Sequence, residues 1–445
     1  MKIKKGIDLP ISGKPIQEII PALRTTTFAL RGLVDFMGLK PSMKVAVGDT
    51  VKVGQPLYQH KENTSVVFPA PVSGKVIAIN RGAKRVLESV VIQSDGKNTP
   101  FNKFSAITKE TSAQNILDMI VSSGHFIGFK TRPFNKVPDP AVKPDAIFVT
   151  AMDTNPLAVD ASVVIQDSKD TFKAGVDAIA KLTDGKTFVC ASPSTALPEF
   201  SAKTTEIHTF EGKHPAGNAG THIHFLRPVS ATKMVWSINY QYVINIGTLV
   251  LTGKVAYDKV ISLAGPAMTN PRLVQTTMGA NIAELIGNDA QGVVRVINGS
   301  ILTGDTAMDT LNFVGATTTQ VSILSGETDS RGLGWLIPWR DKFSSVFNVH
   351  FSSLYRKKPQ AMDVGVNGSF RAIIPIGHFE TLTPLDILPT QLMRSIIVGD
   401  TDQAQKLGLL ELAEEDIALF AFADIGKNDF IGALQDCLAK VEKEG

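Results

Sequence analysis

The sequence predicts a multidomain protein of mixed α/β and α+β class, and three features carry that prediction. Its 445 residues exceed what one hydrophobic core supports, so about two to four domains are expected. Between Pro41 and Ser94 apolar residues alternate singly between tight turns, whereas from 105 to 254 short apolar runs alternate with stretches of helical spacing. From Pro384 onward only helical spacing remains.

Residues 1–40 read as a lead-in punctuated by Pro10, Gly13, Pro15 and Pro21, ending in the apolar patch Gly32-Leu-Val-Asp-Phe-Met-Gly-Leu. Residues 41–104 read as a small β domain, because Gly48-Asp49 and Gly54-Gln55 supply turn geometry between alternating strands. This unit resembles the biotinyl/lipoyl-carrier sandwich. The modified lysine of that family would fall on Asn63; Lys61 is near but lacks the flanking methionine, so the unit reads as a docking or structural module.

Residues 105–254 read as a Rossmann-like α/β layer with a parallel sheet. Ser112 to Ser122 is a helix, Ala146 to Ala151 a buried strand, and Phe172, Val176, Ile179 and Leu182 lie at helical spacing before the strand Thr187 to Ala191. The uncharged run Met234 to Leu251 approaches the length of a membrane span, but Ser237, Asn239, Gln241, Asn245 and Gly247 interrupt it. It reads as a strand, then a helix capped by Asn239 and stopped at Gly253.

Strand, strand, helix and strand follow from Val260 to Gly299, which suggests a β-grasp domain over residues 255–330. Residues 331–375 read as a strand-rich connection holding Trp335 and Trp339, and 376–445 as a helical domain with Asp400 and Glu414-Glu415-Asp416 near helix starts.

Composition narrows the chemistry. With 45 basic and 42 acidic residues the charge is close to balance, which argues against nucleic acid as a partner. Cys190 and Cys437 are too few for a four-thiolate zinc or iron–sulfur site. No apolar segment follows the basic start, so no secretory signal is expected and the protein is expected to face the cytoplasm. Neither a G-x-G-x-x-G motif nor a Walker loop is present; the nearest glycine loop, from Ser123 to Lys136, carries side chains too large for close approach to a phosphate.

The stretch from His214 to Phe225 packs two glycines, a proline and three histidines into twelve residues and reads as a binding loop. His222 and His224 would point the same way on a strand but nearly opposite ways on a helix. With His214 they form the alternative reading, a stand-alone zinc-dependent hydrolase, His208 being the other third ligand. No carboxylate or cysteine lies within the stretch, which favours a structural loop.

Five strings carry a family resemblance: Met1-Lys-Ile-Lys-Lys-Gly-Ile-Asp-Leu-Pro, Asn80-Arg-Gly-Ala-Lys-Arg-Val, Lys130-Thr-Arg-Pro-Phe-Asn-Lys-Val-Pro, Phe148-Val-Thr-Ala-Met-Asp-Thr-Asn-Pro-Leu-Ala and His214-Pro-Ala-Gly-Asn-Ala-Gly-Thr-His. With them the chain resembles the A subunits of the bacterial sodium-translocating NADH:quinone oxidoreductases, a family similar to the C subunit of the Rnf complex and to the flavin subunit of respiratory complex I. The resemblance implies a peripheral subunit on the cytoplasmic side of the bacterial inner membrane. Five other subunits are implied, including the integral B subunit, in a complex that passes electrons to ubiquinone while exporting sodium.

Residues 105–254 would then correspond to the flavin-binding domain of complex I, with Gly124 to Phe129 in place of the flavin loop. Ala418 to Lys427 would replace the cluster segment, without its cysteines. NADH, flavins and the iron–sulfur cluster are expected on other subunits and no cofactor on this chain. Phe126, Phe129, Lys130, Arg132 and Phe134 bring rings and cationic donors into nine residues, the composition of a quinone slot, and are the candidate quinone-binding residues.

Overall fold

The computed structural model describes residues 1–21, 25–108, 110–328, 359–366 and 368–444. Trp335, Trp339 and most of the expected connection 331–375 lie outside the described residues.

Alternating apolar residues between 27 and 94 build two small antiparallel sheets. One orders Thr27–Arg31, Leu87–Ser94, Gly74–Arg81 and Thr50–Val51, and the other Pro41–Met43, Pro56–His60 and Val67–Pro69. Leu30, Tyr58, Phe68, Val76 and Val90 from both belong to one buried cluster, in which Tyr58 stacks on Phe68 at 4.7 Å.

The next sheet has five strands in the order Phe129–Arg132, Val235–Asn239, Ala146–Ala151, Lys186–Ala191 and Thr205–Thr209. The last four are mutually parallel, as expected for an α/β layer, and the largely apolar Val235–Asn239, Ala146–Ala151 and Lys186–Ala191 suit strands covered on both faces, whereas the edge strand Thr205–Thr209 is polar and partly exposed. Phe129–Arg132 joins antiparallel at one edge, so four residues of the expected glycine loop are in fact a strand. Lys169–Ile179 and Tyr240–Thr252 form a close helix pair: a Cβ at Gly247 would sit 1.7 Å from the Thr171 carbonyl oxygen, and one at Gly175 2.0 Å from that of Val243. Asn239 caps the second helix by accepting from the Gln241 N–H, and Gly253 ends it at φ 70°.

A six-stranded sheet follows in the order Asp305–Thr306, Val294–Asn298, Gln320–Ser325, Asp258–Ala264, Arg272–Thr277 and Ile16–Pro21. Its outer strand comes from the first forty residues. These were expected as a lead-in, yet they supply strands to three sheets, since Lys2–Ile3 also pairs with Glu211–Gly212. Pairings between residues hundreds of positions apart leave no local signature, which is why the segment reads as irregular.

The C-terminal residues form the helices His378–Leu382, Pro389–Val398, Thr401–Lys406, Glu414–Ala423 and Phe430–Glu444. They enclose a core of their own, built on Leu392, Met393, Ile417, Phe420, Leu434 and Leu438. Among the described residues no helix is long and apolar enough to cross a membrane.

Candidate functional site

Strand alternation decides where the candidate quinone residues go, because neighbours on a strand face opposite sides. Phe129 points into the α/β core, where it meets Trp236 at 5.5 Å and Phe126 at 5.4 Å; Phe126 meets the same indole edge-on at 5.5 Å. Both phenylalanines are at most 1% exposed. Lys130 turns the other way, donates to the Asp35 carbonyl oxygen at 3.1 Å and lies 5.5 Å over the Phe36 ring. Phe134, at φ 78°, packs against the core of the C-terminal helices. The five residues diverge: Phe126 and Phe129 are buried in the α/β core, Lys130 turns the other way, and Phe134 is half-buried against the C-terminal helices.

Arg132 instead organises a joint. Its side chain is 2% exposed and donates to Glu415 Oε1 at 2.9 Å and to Asn135 Oδ1 at 2.7 Å, with Asp416 Oδ2 at 3.5 Å. Asn135 donates to Glu414 Oε2 at 2.7 Å, and Asn218 to the Glu415 carbonyl oxygen at 3.0 Å. The first turn of helix Glu414–Ala423 is thus clasped by the edge strand, by the turn after it and by the start of helix Ala219–Leu226. Gly220 in that last helix makes the approach possible, since a Cβ there would lie 2.1 Å from Asp416 Oδ1.

Two carboxylates, Glu415 and Asp416, meet one buried guanidinium, and Glu414 lies beside them on Asn135. Asp416 turns back to accept the Ala413 N–H at 2.9 Å, while its Oδ1 is buried without a hydrogen-bond partner among the described residues. Burial pushes its carboxyl up to about 7, against the pull of Arg132 and with the repulsion of Glu415 and Glu414. Asp153, behind the turn, is also raised by burial.

The histidine stretch is not a loop throughout: His214 sits in a turn, and residues from Ala219 to Leu226 are helical. On the helix His222 and His224 diverge, which corrects the zinc reading. His222 Nε2 donates to the Ala216 carbonyl oxygen at 3.0 Å, and His214 Nδ1 lies 3.2 Å from Thr154 Oγ1; burial lowers both imidazoles to about 4. His224 reaches outward to Glu411 Oε2 at 2.6 Å and accepts the Asp386 N–H at its Nε2, a second tie to the C-terminal helices. His208 is on the edge strand beside Glu206. Among the described residues no group of three or more His, Cys, Asp or Glu is arranged to hold a metal.

The expected flavin-loop equivalent is filled by its own side chains. His125 bonds to Ser123 Oγ at 2.9 Å and to the Ala256 carbonyl oxygen at 2.9 Å, and stacks on Tyr257. A polar cleft of about 420 Å³ lies elsewhere, lined by Lys169, Asp170, Gln241, Asn245, Asp258 and Gln275 among others, and includes none of the five candidates.

Nothing in the sequence points to Asn135, Asn218 or the partnership of Arg132 with Glu415 and Asp416. The acidic run was visible only as a helix-start signal.

Three family models match the chain. They are described as the NqrA N-terminal barrel-sandwich hybrid domain, over residues 1–95, the NqrA second alpha/beta domain, over 111–255, and the NQRA C-terminal domain, over 260–309. The A subunit of the Na(+)-translocating NADH-quinone reductase of Histophilus somni (strain 2336) is 46% identical over 450 residues, covering 100% of this chain and 99% of the relative. The corresponding subunit from Vibrio vulnificus (strain YJ016) is 47% identical over 446 residues, with the same coverage. Among solved structures, an NAD+-reducing [NiFe]-hydrogenase in the air-oxidized state matches 48% of this chain and 47% of its own at 14% identity and a TM-score of 0.36.

Proposed function

The chain belongs to the A-subunit family of the Na(+)-translocating NADH-quinone reductases, and from that premise we propose that it serves such a complex as a peripheral subunit carrying no redox group of its own. The complex oxidises NADH, reduces quinone and exports sodium. The observation that carries the redox-inert reading is the joint. Where the resemblance would put a flavin loop, over Gly124 to Phe129, the chain has packed side chains, and an Arg132-centred clasp holds the turn just before Ala418 to Lys427, where the resemblance would put a cluster.

On this reading the small sheets over residues 41–104 are a lipoyl-like module without its carrier lysine. The layer over 105–254 is a Rossmann-like relative of the complex I flavin domain, 255–330 is a β-grasp unit, and 376–445 is a helical unit that has lost cluster cysteines. The partners are the five other subunits, with the integral B subunit in the membrane, and the chain sits on the cytoplasmic face. NADH, flavins and the iron–sulfur cluster belong to those partners. Phe126, Phe129, Lys130, Arg132 and Phe134 act as joint and core, and ubiquinone would reach them only by displacing their present contacts.

The test is to assemble the whole complex with Arg132→Ala or Phe129→Ala. The account expects weaker incorporation of the chain, while complexes that do assemble titrate with quinone like the parent. A raised quinone requirement in a normally assembled complex would return these residues to a quinone site. Stoichiometric zinc with hydrolytic activity in the isolated chain would overturn the assembly reading itself.

A further inference from the structure

We propose that the polar cleft between the helix pair Lys169–Ile179 and Tyr240–Thr252 and the start of strand Asp258–Ala264 binds a small organic cation of the aliphatic polyamine class. Its volume of about 420 Å³ is that of a small-molecule site, and it lies where the α/β layer meets the six-stranded sheet, a usual place for one.

The inner wall is chemically one-sided, because its donors are already spent. Strand Asp258–Ala264 pairs with Gln320–Ser325 only from Ser262 onward, and the helix Tyr240–Thr252 completes the edge before that point. The Gln241 amide donates to the Val260 carbonyl oxygen at 2.8 Å and accepts the Val260 N–H at 2.9 Å. One turn along, the Asn245 amide nitrogen donates to the Asp258 carbonyl oxygen at 3.0 Å. The hydroxyls of Thr248 and Thr171 are turned onto the Ile244 and Ser168 carbonyl oxygens, and Lys259 Nζ onto that of Thr318. Donors remain on Gln166, Lys169 and Gln275, which are exposed, and on Ser168. Deeper in, acceptors are what is left. Asn245 lines the cleft and is 6% exposed, yet its Oδ1 accepts no hydrogen bond among the described residues. Leaving a buried acceptor unpaired is costly, and a ligand N–H relieves that cost.

The charges select the same kind of ligand. The carboxylates of Asp167, Asp170 and Asp258 line the cleft and form no ion pair or hydrogen bond among the described residues. Against them stand the exposed Lys169 and the buried Lys259, whose amine is lowered to about 7 by burial and faces Thr318. The three carboxylates are too dispersed to share one inorganic ion, since among the described residues no group of three or more His, Cys, Asp or Glu is arranged to hold a metal. Ammonium groups set apart on one chain reach them singly through charge-assisted hydrogen bonds. The methylenes between those groups then lie against Val164, Ile244 and Val260, the apolar part of the lining. A polyamine has this alternation of charge and hydrocarbon, whereas an anion would meet carboxylates and an unpaired acceptor.

The experiment titrates the full chain with spermidine by calorimetry, beside the D170N/D258N double variant, which keeps both side-chain shapes and removes two charges. The parent should bind one equivalent, and the variant should bind about tenfold more weakly, the scale for losing a charge-assisted hydrogen bond. Asp402→Asn, in the C-terminal helices, should bind like the parent. Magnesium at the same concentration should leave spermidine bound to the parent. Heat that does not saturate, displacement of spermidine by that magnesium, or equal affinity in the parent and D170N/D258N each overturns the site. The magnesium competition is read on the parent alone, so it decides the matter even where the double variant does not fold.

Discussion

Asp416 shows how one residue can set the behaviour of the joint. Its carboxyl is raised from 3.8 to about 7, so between those values the folded chain holds a proton that the unfolded chain has lost. The stabilisation is complete below the lower value and is lost as pH rises through the upper one. The groups facing Asp416 are Arg132 from the edge strand, Glu414 and Glu415 from its own helix, and Gly220 from helix Ala219–Leu226, with Asn218 holding the neighbouring Glu415 carbonyl. Thermal unfolding followed from acid to neutral pH should show the midpoint falling for the parent and holding steadier for Asp416→Asn, which keeps the shape and removes the titration. Equal slopes would contradict the assignment. Arg132→Ala should cost about 3 kcal/mol in denaturant unfolding, the scale for breaking a buried pair from one side, and more than Arg132→Lys. None of this was legible in the sequence, where Arg132 and Asp416 lie far apart and only folding brings their charges together.

At the scale of elements, what was legible was what periodicity encodes. The strand and helix from Val235 to Thr252, with Asn239 and Gly253 at the helix ends, follow the expected bounds because caps and alternation are local signals. Phe129–Arg132 was not legible, since four residues with two cations look like a loop until the antiparallel partner Val235–Asn239 is known. The His214 to Phe225 stretch failed as a loop for the opposite reason: its helix is held by tertiary contacts on Gly220 and His224 that outweigh its glycines. The Gly175 and Gly247 contact makes a further prediction. Gly247→Val forces the helices Lys169–Ile179 and Tyr240–Thr252 apart and should lower unfolding stability by about 3 kcal/mol, the upper end for overpacking, as read by urea titration. A loss no greater than that of an exposed Gly→Val change would mean the helices do not touch as described. Phe129→Ala should cost about 3 to 5 kcal/mol through its cavity against Trp236.

For the whole molecule, the order of sheet, layer, sheet and helices was legible, but the arrangement that closes it was not. The first forty residues stitch three sheets together, and the C-terminal helices, with a core of their own, dock through the Arg132 clasp and through apolar contacts from Ile7, Phe134 and Leu302. The joint ties the strand that follows the flavin-loop equivalent to the turn that precedes the cluster-segment equivalent, so the central claim is that this chain contributes architecture to the reductase and leaves electron carriage to its partners. The most direct measurement is the visible spectrum, with flavin and iron analysis, of the chain separated from an active complex by gel filtration. The account predicts a colourless protein, with flavin and iron remaining on the other subunits. A flavin or iron–sulfur band that stays with this chain in stoichiometric amount would contradict it.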